Sequence, residues 1–352
     1  MQTDVDLGRL DRAILNAFQG GFPVCARPFE PASAALRERG IDLSASAMLE
    51  RLQSLDESGT ISRFGALVNA EEIGGTATLV AMHAPADRFD EVVEEVNSHR
   101  EVAHNYEREH DHLNVWFVVS VADVDAVARV LTAIEDATGQ ETYNMPKQRE
   151  FHVGAKFLLD GPISDGGVDL SELGPTVEAT AAERISPGER DLIVELQDGL
   201  PLSATPYADL AASIDRSPDW VRETIKRFLL EGKVRRVGVI PNHYALGYTV
   251  NGMTVWNIPD EKVEAVGEAV AAFEFVTHCY ERPRHDGVWP YNFFAMTHGR
   301  STEESDRRVA EIRDRISDHC ELSAADWETL FSTEILKKTG IRLRERADAN
   351  TA

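Results

Sequence analysis

The sequence is poor in cysteine, in lysine and in long apolar runs. Its three cysteines, Cys25, Cys279 and Cys320, are far apart and odd in number, with no Cys-x-x-Cys pair. That spacing argues against a disulfide framework and against a structural zinc site, so reduced thiols are expected. No apolar run reaches the ~18 to 20 residues that a membrane-crossing helix needs, and the first ten residues show no basic-then-apolar leader. A cytoplasmic protein without a membrane partner is expected. Phosphate-cradling glycine loops are also missing, since Gly74-Gly75 and Gly166-Gly167 match no such pattern. Only seven lysines are present, and the 36 Lys and Arg residues face 60 Asp and Glu, for a formal net charge of −24. The acids are scattered, and such a surface repels phosphate backbones, so nucleic acid is not the expected partner. The same composition suits a halophilic cytoplasm, where concentrated salt screens that repulsion and weakens the objection.

What is present is a chain of 352 residues, 43% apolar, enough for two to four domains. Apolar spacing predicts helices over 7–17, 31–39 and 44–57, with Ser44 as N-cap of the third, and a strand over 61–67. Three helices and a wing make a winged helix-turn-helix unit. Strand, helix, strand, strand, helix and strand then follow at 76–82, 87–98, 102–107, 113–121, 124–137 and within 141–158. That order predicts a ferredoxin-like α+β domain whose antiparallel sheet keeps one face for a partner or ligand. Residues 161–186 read as an acidic linker. The pattern then restarts, with helices over 189–197, 207–213 and 217–231, a wing over 234–240, and a second ferredoxin-like order through 248–256, 260–272, 275–281, 288–296, 302–319 and a last strand beyond Cys320. The fold class is therefore a tandem duplication of winged helix-turn-helix plus βαββαβ domain, divided 1–70, 71–160, 161–186, 187–243 and 244–346. Two fused halves at an offset near 174 residues imitate a dimer, and further homo-oligomerisation is compatible with this plan.

The feature common to both halves is a short polar strand, His104-Asn105-Tyr106-Glu107-Arg108, repeated as His278-Cys279-Tyr280-Glu281-Arg282. Alternation along a strand puts His104, Tyr106 and Arg108 on one face, and His278, Tyr280 and Arg282 likewise. Imidazole, phenol and guanidinium supply an acid/base or iron ligand, a hydrogen-bond partner and a carboxylate clamp, a set suited to an anionic ligand. A merely hydrogen-bonded polar interface would account for one copy, but not readily for three side chains recurring in register. His110 and His285, in the turns that follow, are candidates for the same pocket, whereas His110-x-His112 lacks the further ligands of a zinc site. Lys147 and Arg149 are candidate carboxylate partners or else strand-edge charges, as are the basic residues from Lys337 to Arg342. Among the expected recognition helices, the first has Arg51 as its only basic residue and the second has Arg222, Lys226 and Arg227, poor and better material respectively for DNA.

The winged helix-turn-helix followed by a ferredoxin-like domain resembles the Lrp/AsnC plan. Doubled His-x-Tyr-Glu-Arg, the 330–340 stretch Leu-Phe-Ser-Thr-Glu-Ile-Leu-Lys-Lys-Thr-Gly and Met145-Pro146-Lys147 make the chain similar to the sirohaem decarboxylases, with two related subunits fused. The resemblance implies a carboxy-lyase that removes the C12 and C18 acetate carboxylates of sirohaem, giving didecarboxysirohaem and two CO₂ in haem or haem d1 biosynthesis. No cofactor would be required. His104, Tyr106, His278 and Tyr280 would serve catalysis, with Arg108, Arg282, Lys147, Arg149, His110 and His285 binding the substrate, and His104 or His278 would be an axial ligand of the substrate iron. The competing reading is an Lrp/AsnC-type transcriptional regulator that senses a small metabolite or haem.

Overall fold

The computed structural model describes residues 7–121, 124–163 and 185–338. The first half runs α1 (Arg9–Phe18), α2 (Phe29–Glu38), α3 (Ala45–Glu57), β1 (Ile61–Val68), β2 (Thr76–Met82), α4 (Phe89–Ser98), β3 (Val102–Arg108), β4 (Val115–Val121), α5 (Val124–Thr138), β5 (Thr142–Met145) and β6 (Arg149–Val153). The second runs α6 (Pro187–Asp198), α7 (Pro206–Ser213), α8 (Pro218–Leu230), β7 (Val234–Pro241), β8 (Val250–Trp256), α9 (Val263–Ala271), β9 (Val276–Glu281), β10 (Phe293–Gly299), α10 (Thr302–Ser317) and β11 (Trp327–Lys338). Among the described residues no helix is long and apolar enough to cross a membrane.

These elements form two compact units that regroup the chain, one from 7–74 with 157–163 and 185–247 and the other from 75–121 with 124–156 and 248–338. Most of the region expected as a linker, 164–184, lies outside the described residues.

In the first unit the two wings pair as an antiparallel ribbon, β1 on β7, with Gly65 opposite Gly238. Both positions need glycine because backbone passes where a Cβ would sit: the Gly199 Cα would lie 2.7 Å from one at Gly65, and the Phe18 carbonyl 2.5 Å from one at Gly238. Each wing is thus pressed against the other half, and the Leu200 amide donates to the Phe64 carbonyl at 2.7 Å. Phe18, Phe22, Phe29 and Phe64 fill the first helical core with edge-on ring contacts 4.9 to 5.2 Å apart at Phe22. Ser44 and Ser217 cap α3 and α8 through the amides of Ala47 and Trp220. The buried amides of Asn16 and Gln19 on α1 each close a two-way pair with the backbone at Leu159 and Phe157.

The second unit is a nine-stranded sheet in the order β5-β2-β4-β3-β11-β8-β10-β9-β6. Each half contributes the expected four-stranded antiparallel order, but each also lends its last strand to the other. The segment expected to hold one strand within 141–158 holds two: β5 pairs with β2 of its own half, while β6 crosses to β9 of the second half. β11 does both in one run, pairing at 327–331 with β8 and at 332–338 with β3. The helices α4 and α5 cover one side of the first sheet through Val92, Val96, Leu131 and Ile134. Helices α9 and α10 cover the second through Val266, Val270, Ile312 and Ile316. A third core joins the helix-free faces, with Ala81, Trp116 and Met145 of the first half against Met253, Val255, Trp289, Phe294 and Leu330 of the second. The face that the sequence left open is therefore largely covered by the chain's own other half. β10 begins at Phe293 rather than 288, because residues 285–289 form a turn closed by a bridge between His285 and Trp289.

Candidate active site

The two polar strands are β3 and β9, and each projects its histidine, tyrosine and arginine as one column. The His104 and Tyr106 rings lie 6.4 Å apart and the Arg108 guanidinium sits 5.6 Å from the Tyr106 ring centre. In the second copy His278 and Tyr280 are 6.0 Å apart and Arg282 is 4.8 Å from Tyr280. Asn105 and Cys279 between them turn to the helix side: Asn105 donates to Asn97, and Cys279 is buried in the α9–α10 core. Burial pushes the Cys279 thiol far up, so it is a packing residue and not a nucleophile. Burial also raises the Tyr106 phenol, although Arg108 pulls the other way, and the hydroxyl stays protonated as a donor.

The arginines have a second duty. Arg108, 7% exposed, donates to the Leu330 carbonyl at 2.8 Å, and Arg282, 9% exposed, donates to the Met145 carbonyl at 2.5 Å. Leu330 and Met145 occupy corresponding places where each crossing strand leaves its own half. Each motif arginine thus holds the other half's chain at the point from which it crosses. Lys147 arrives with that strand, 5.9 Å above the Tyr280 ring and paired with Glu150. Arg149 pairs with Glu264 and Glu281 and stacks on Phe151 of the helix-side core, so the structure does not bring it to the triplet.

Comparison with known proteins fits this geometry. A family model described as "Siroheme decarboxylase NirDL-like HTH domain" matches residues 11–61 and 189–235, and an "AsnC-like ligand binding domain" matches 72–152 and 245–337. The siroheme decarboxylase NirDL subunit of Paracoccus denitrificans (strain Pd 1222) is 35% identical over 339 residues, covering 96% of this chain and 98% of that protein. The chain belongs to the sirohaem decarboxylase family. A single-subunit member, the siroheme decarboxylase NirH subunit of Paracoccus pantotrophus, is 45% identical over 157 residues, 45% of this chain and 95% of its own. The crystal structure of the siroheme decarboxylase NirDL superposes with a TM-score of 0.66 at 25% identity, covering 95% of this chain and 94% of that one.

In this sirohaem decarboxylase fold the two turn histidines follow the columns, and His110 shares a cleft with Arg108. His285 Nε2 lies 3.0 Å from the Asn144 carbonyl, with its ring against Tyr143. His110 accepts the amides of His112 and Leu113 at Nδ1, at 3.1 and 2.8 Å, and faces Glu328 at 3.8 Å through Nε2. It borders a cleft of about 690 Å³ that Arg108 and His112 also line, with Glu107, Glu109, Asp111 and Glu328 as its acids. Burial is the leading cause holding the His110 pKa below its ordinary 6.5, His112 adds to it, and Glu328 and Asp111 oppose it. The unfolded chain therefore takes up this proton more readily than the folded one. The stabilisation is complete above about 6.5 and is lost as the pH falls from there through the lower folded value. Calorimetry is expected to show the acid-side fall in Tm flattened in His110→Gln, whose amide oxygen can still accept from the loop.

Asn114 and Asn292 carry no signal in the sequence beyond falling after the two polar turns. Their side-chain amides bracket the backbone of Ala84 and Ile258 in both directions, at 2.8 to 3.0 Å. Their own carbonyls accept from the amides of Arg108 and Arg282, which fixes the end of each column. Thr277, also passed over, places Oγ1 3.0 Å from His278 Nδ1.

Proposed function

We propose that the chain catalyses the decarboxylation of sirohaem, losing CO₂ from the C12 and C18 acetates to give didecarboxysirohaem on a route to haem or haem d1. The observation that carries the reading is the doubled His-Tyr-Arg column, each completed by the other half's strand, in a chain that aligns nearly end to end with a fused relative of that activity. The iron belongs to the substrate, and no added cofactor takes part. In each step the bond between the acetate methylene and its carboxyl carbon breaks, and the electron pair stays on the methylene. A proton delivered to that carbon leaves a methyl group, so the balance needs one proton per CO₂ and no oxidant.

His104 and His278 are the candidate acids, with Tyr106 and Tyr280 as neutral donors beside them. General acid help of this kind contributes ~10² to 10⁴-fold. Lys147, carried in on the crossing strand, offers charge to a carboxylate beside Tyr280. The regulator reading is weaker because the cations of the recognition helices face acids of the same unit: Arg51 on Asp11, Arg222 on Asp219, Lys226 on Glu223 and Arg227 on Glu189 and Glu231. A DNA phosphate would have to compete with each of these.

Anaerobic incubation of the purified protein with sirohaem is expected to shift the Soret band on binding and to yield a product lighter by two CO₂ without an added redox partner. Neither change, together with tight, salt-dependent binding to a specific DNA sequence, would replace this reading with the regulator.

A further inference from the structure

The geometry points to Thr277, His298 and Asn251 as positioning residues that hold the imidazole of His278 in a single tautomer, an arrangement that the His104 copy lacks. The inference rests on the decarboxylase reading for its purpose, though not for its geometry.

The argument starts from a bulge. In the ladder between β9 and β10, Met296 faces His278 and Thr297 faces Val276, so Thr277 is an extra residue on β9. A bulge interrupts strict alternation and re-aims side chains. The Thr277 hydroxyl therefore lies beside the His278 ring, 3.0 Å from Nδ1, and equally 3.0 Å from Nε2 of His298 on β10. His298 sits opposite Asn251 of β8 in the next ladder, and its Nδ1 lies 2.5 Å from the Asn251 Oδ1. All three supporting residues are buried, Thr277 at 2%, Asn251 at 7% and His298 at 9% exposure, so water does not compete for these bonds. Arg308 of α10, itself paired with Glu304, donates to the His298 carbonyl and fixes that end of β10.

The direction of the chain follows from the acceptor at its end. With Asn251 Oδ1 accepting, His298 Nδ1 carries a proton, and its Nε2 at 3.0 Å takes the Thr277 hydroxyl hydrogen in preference to the Met296 carbonyl, which faces the same hydroxyl at 3.4 Å. Thr277 Oγ1 then accepts from His278 Nδ1–H. Nδ1 of His278 keeps its proton on Thr277, so Nε2 is the nitrogen that takes up a proton and, as imidazolium, delivers it to the acetate methylene. A metal-bound or catalytic imidazole is commonly oriented in this way through its second nitrogen.

The first half repeats the bulge without the chemistry. Val119 faces Val102 and Val118 faces His104, which leaves Ala103 as the extra residue, and the pair corresponding to Asn251 and His298 is Ala77 and Ser120. Ala103 and Ala77 have no side-chain donor or acceptor. Duplication preserved the column but placed the threonine–histidine–asparagine chain at His278.

The test uses the full chain with ¹⁵N-labelled histidine and the isosteric change Thr277→Val, with Thr277→Ser as the variant that keeps the hydroxyl. Long-range ¹H–¹⁵N spectra of the wild type should show His278 protonated at Nδ1, and Thr277→Val should shift it toward a mixture. With sirohaem as substrate, kcat should fall about 10- to 100-fold in Thr277→Val with KM little changed, and Thr277→Ser should restore it. Unchanged tautomer and kcat in a folded Thr277→Val, or a loss confined to KM, would overturn the inference. A wild type that shows the Nδ1–H tautomer and yet leaves sirohaem intact would support the geometry and overturn the decarboxylase reading instead.

Discussion

Replacing His278 with alanine is expected to lower kcat for CO₂ release by ~10² to 10⁴-fold, the range typical of a positioned general acid. The reason lies in the timing of charge. The carboxylate enters as an anion, and loss of CO₂ shifts that negative charge onto a methylene carbon, which is high in energy until a proton arrives. An imidazole held at Nδ1 by Thr277 presents its other nitrogen in one orientation, so little reorganisation remains for the moment of transfer. Affinity should change far less than turnover, because much of the binding energy for a polycarboxylate comes from cations. Stopped-flow or single-turnover product analysis separates the two, alongside a Soret titration for binding. His104→Ala should cost less than His278→Ala, since its surroundings lack the Thr277–His298 support. An equal or larger loss at His104 would move the acid to β3.

The second large effect is expected from the clasps. Arg282→Met removes a buried charged donor from the Met145 carbonyl, and Arg108→Met does the same at Leu330. A hydrogen bond from a charged group contributes about 1.5 to 3 kcal/mol, and a Tm drop of about 3 to 12 °C follows for a unit of this size. The location of the damage is more diagnostic than its size. Hydrogen exchange should accelerate across 142–153 in Arg282→Met and across 327–338 in Arg108→Met, each time in the segment from which the other half's strand crosses. An arginine acting only as a substrate clamp would raise KM and leave exchange and Tm untouched. Since each column is bounded by the other half's strand, either substitution should also lower activity at the column it belongs to.

Much of the fold is legible in the sequence because it depends on local period. β2 and α5 begin at the residues where alternation and helical spacing place them, and Ser44 caps α3 as its hydroxyl predicts. The repeat of His-x-Tyr-Glu-Arg marks β3 and β9 without any structure. What sequence spacing missed depends on partners distant along the chain. β6 and the outer part of β11 look like continuations of a last strand, and nothing local says that they cross to the other half. A second role of Arg108 and Arg282 is hidden for the same reason: a guanidinium reads as a carboxylate clamp, and the backbone carbonyl it also holds lies 222 or 137 residues away. His298 reads as an isolated histidine near a strand end until a bulge at Thr277 brings the hydroxyl to it.

The sequence by itself determined a duplicated chain of helix-turn-helix and βαββαβ modules, the polar strand common to both halves, and the family that strand resembles. These follow from side-chain period and residue type, which are properties of neighbours. Only the tertiary structure decided that the two halves exchange their last strands, that the motif arginines hold that exchange, and that one of the two histidines has a buried scaffold behind it. Those depend on which backbone groups and side chains meet across hundreds of residues, and burial, by removing water as a competitor, makes those meetings count.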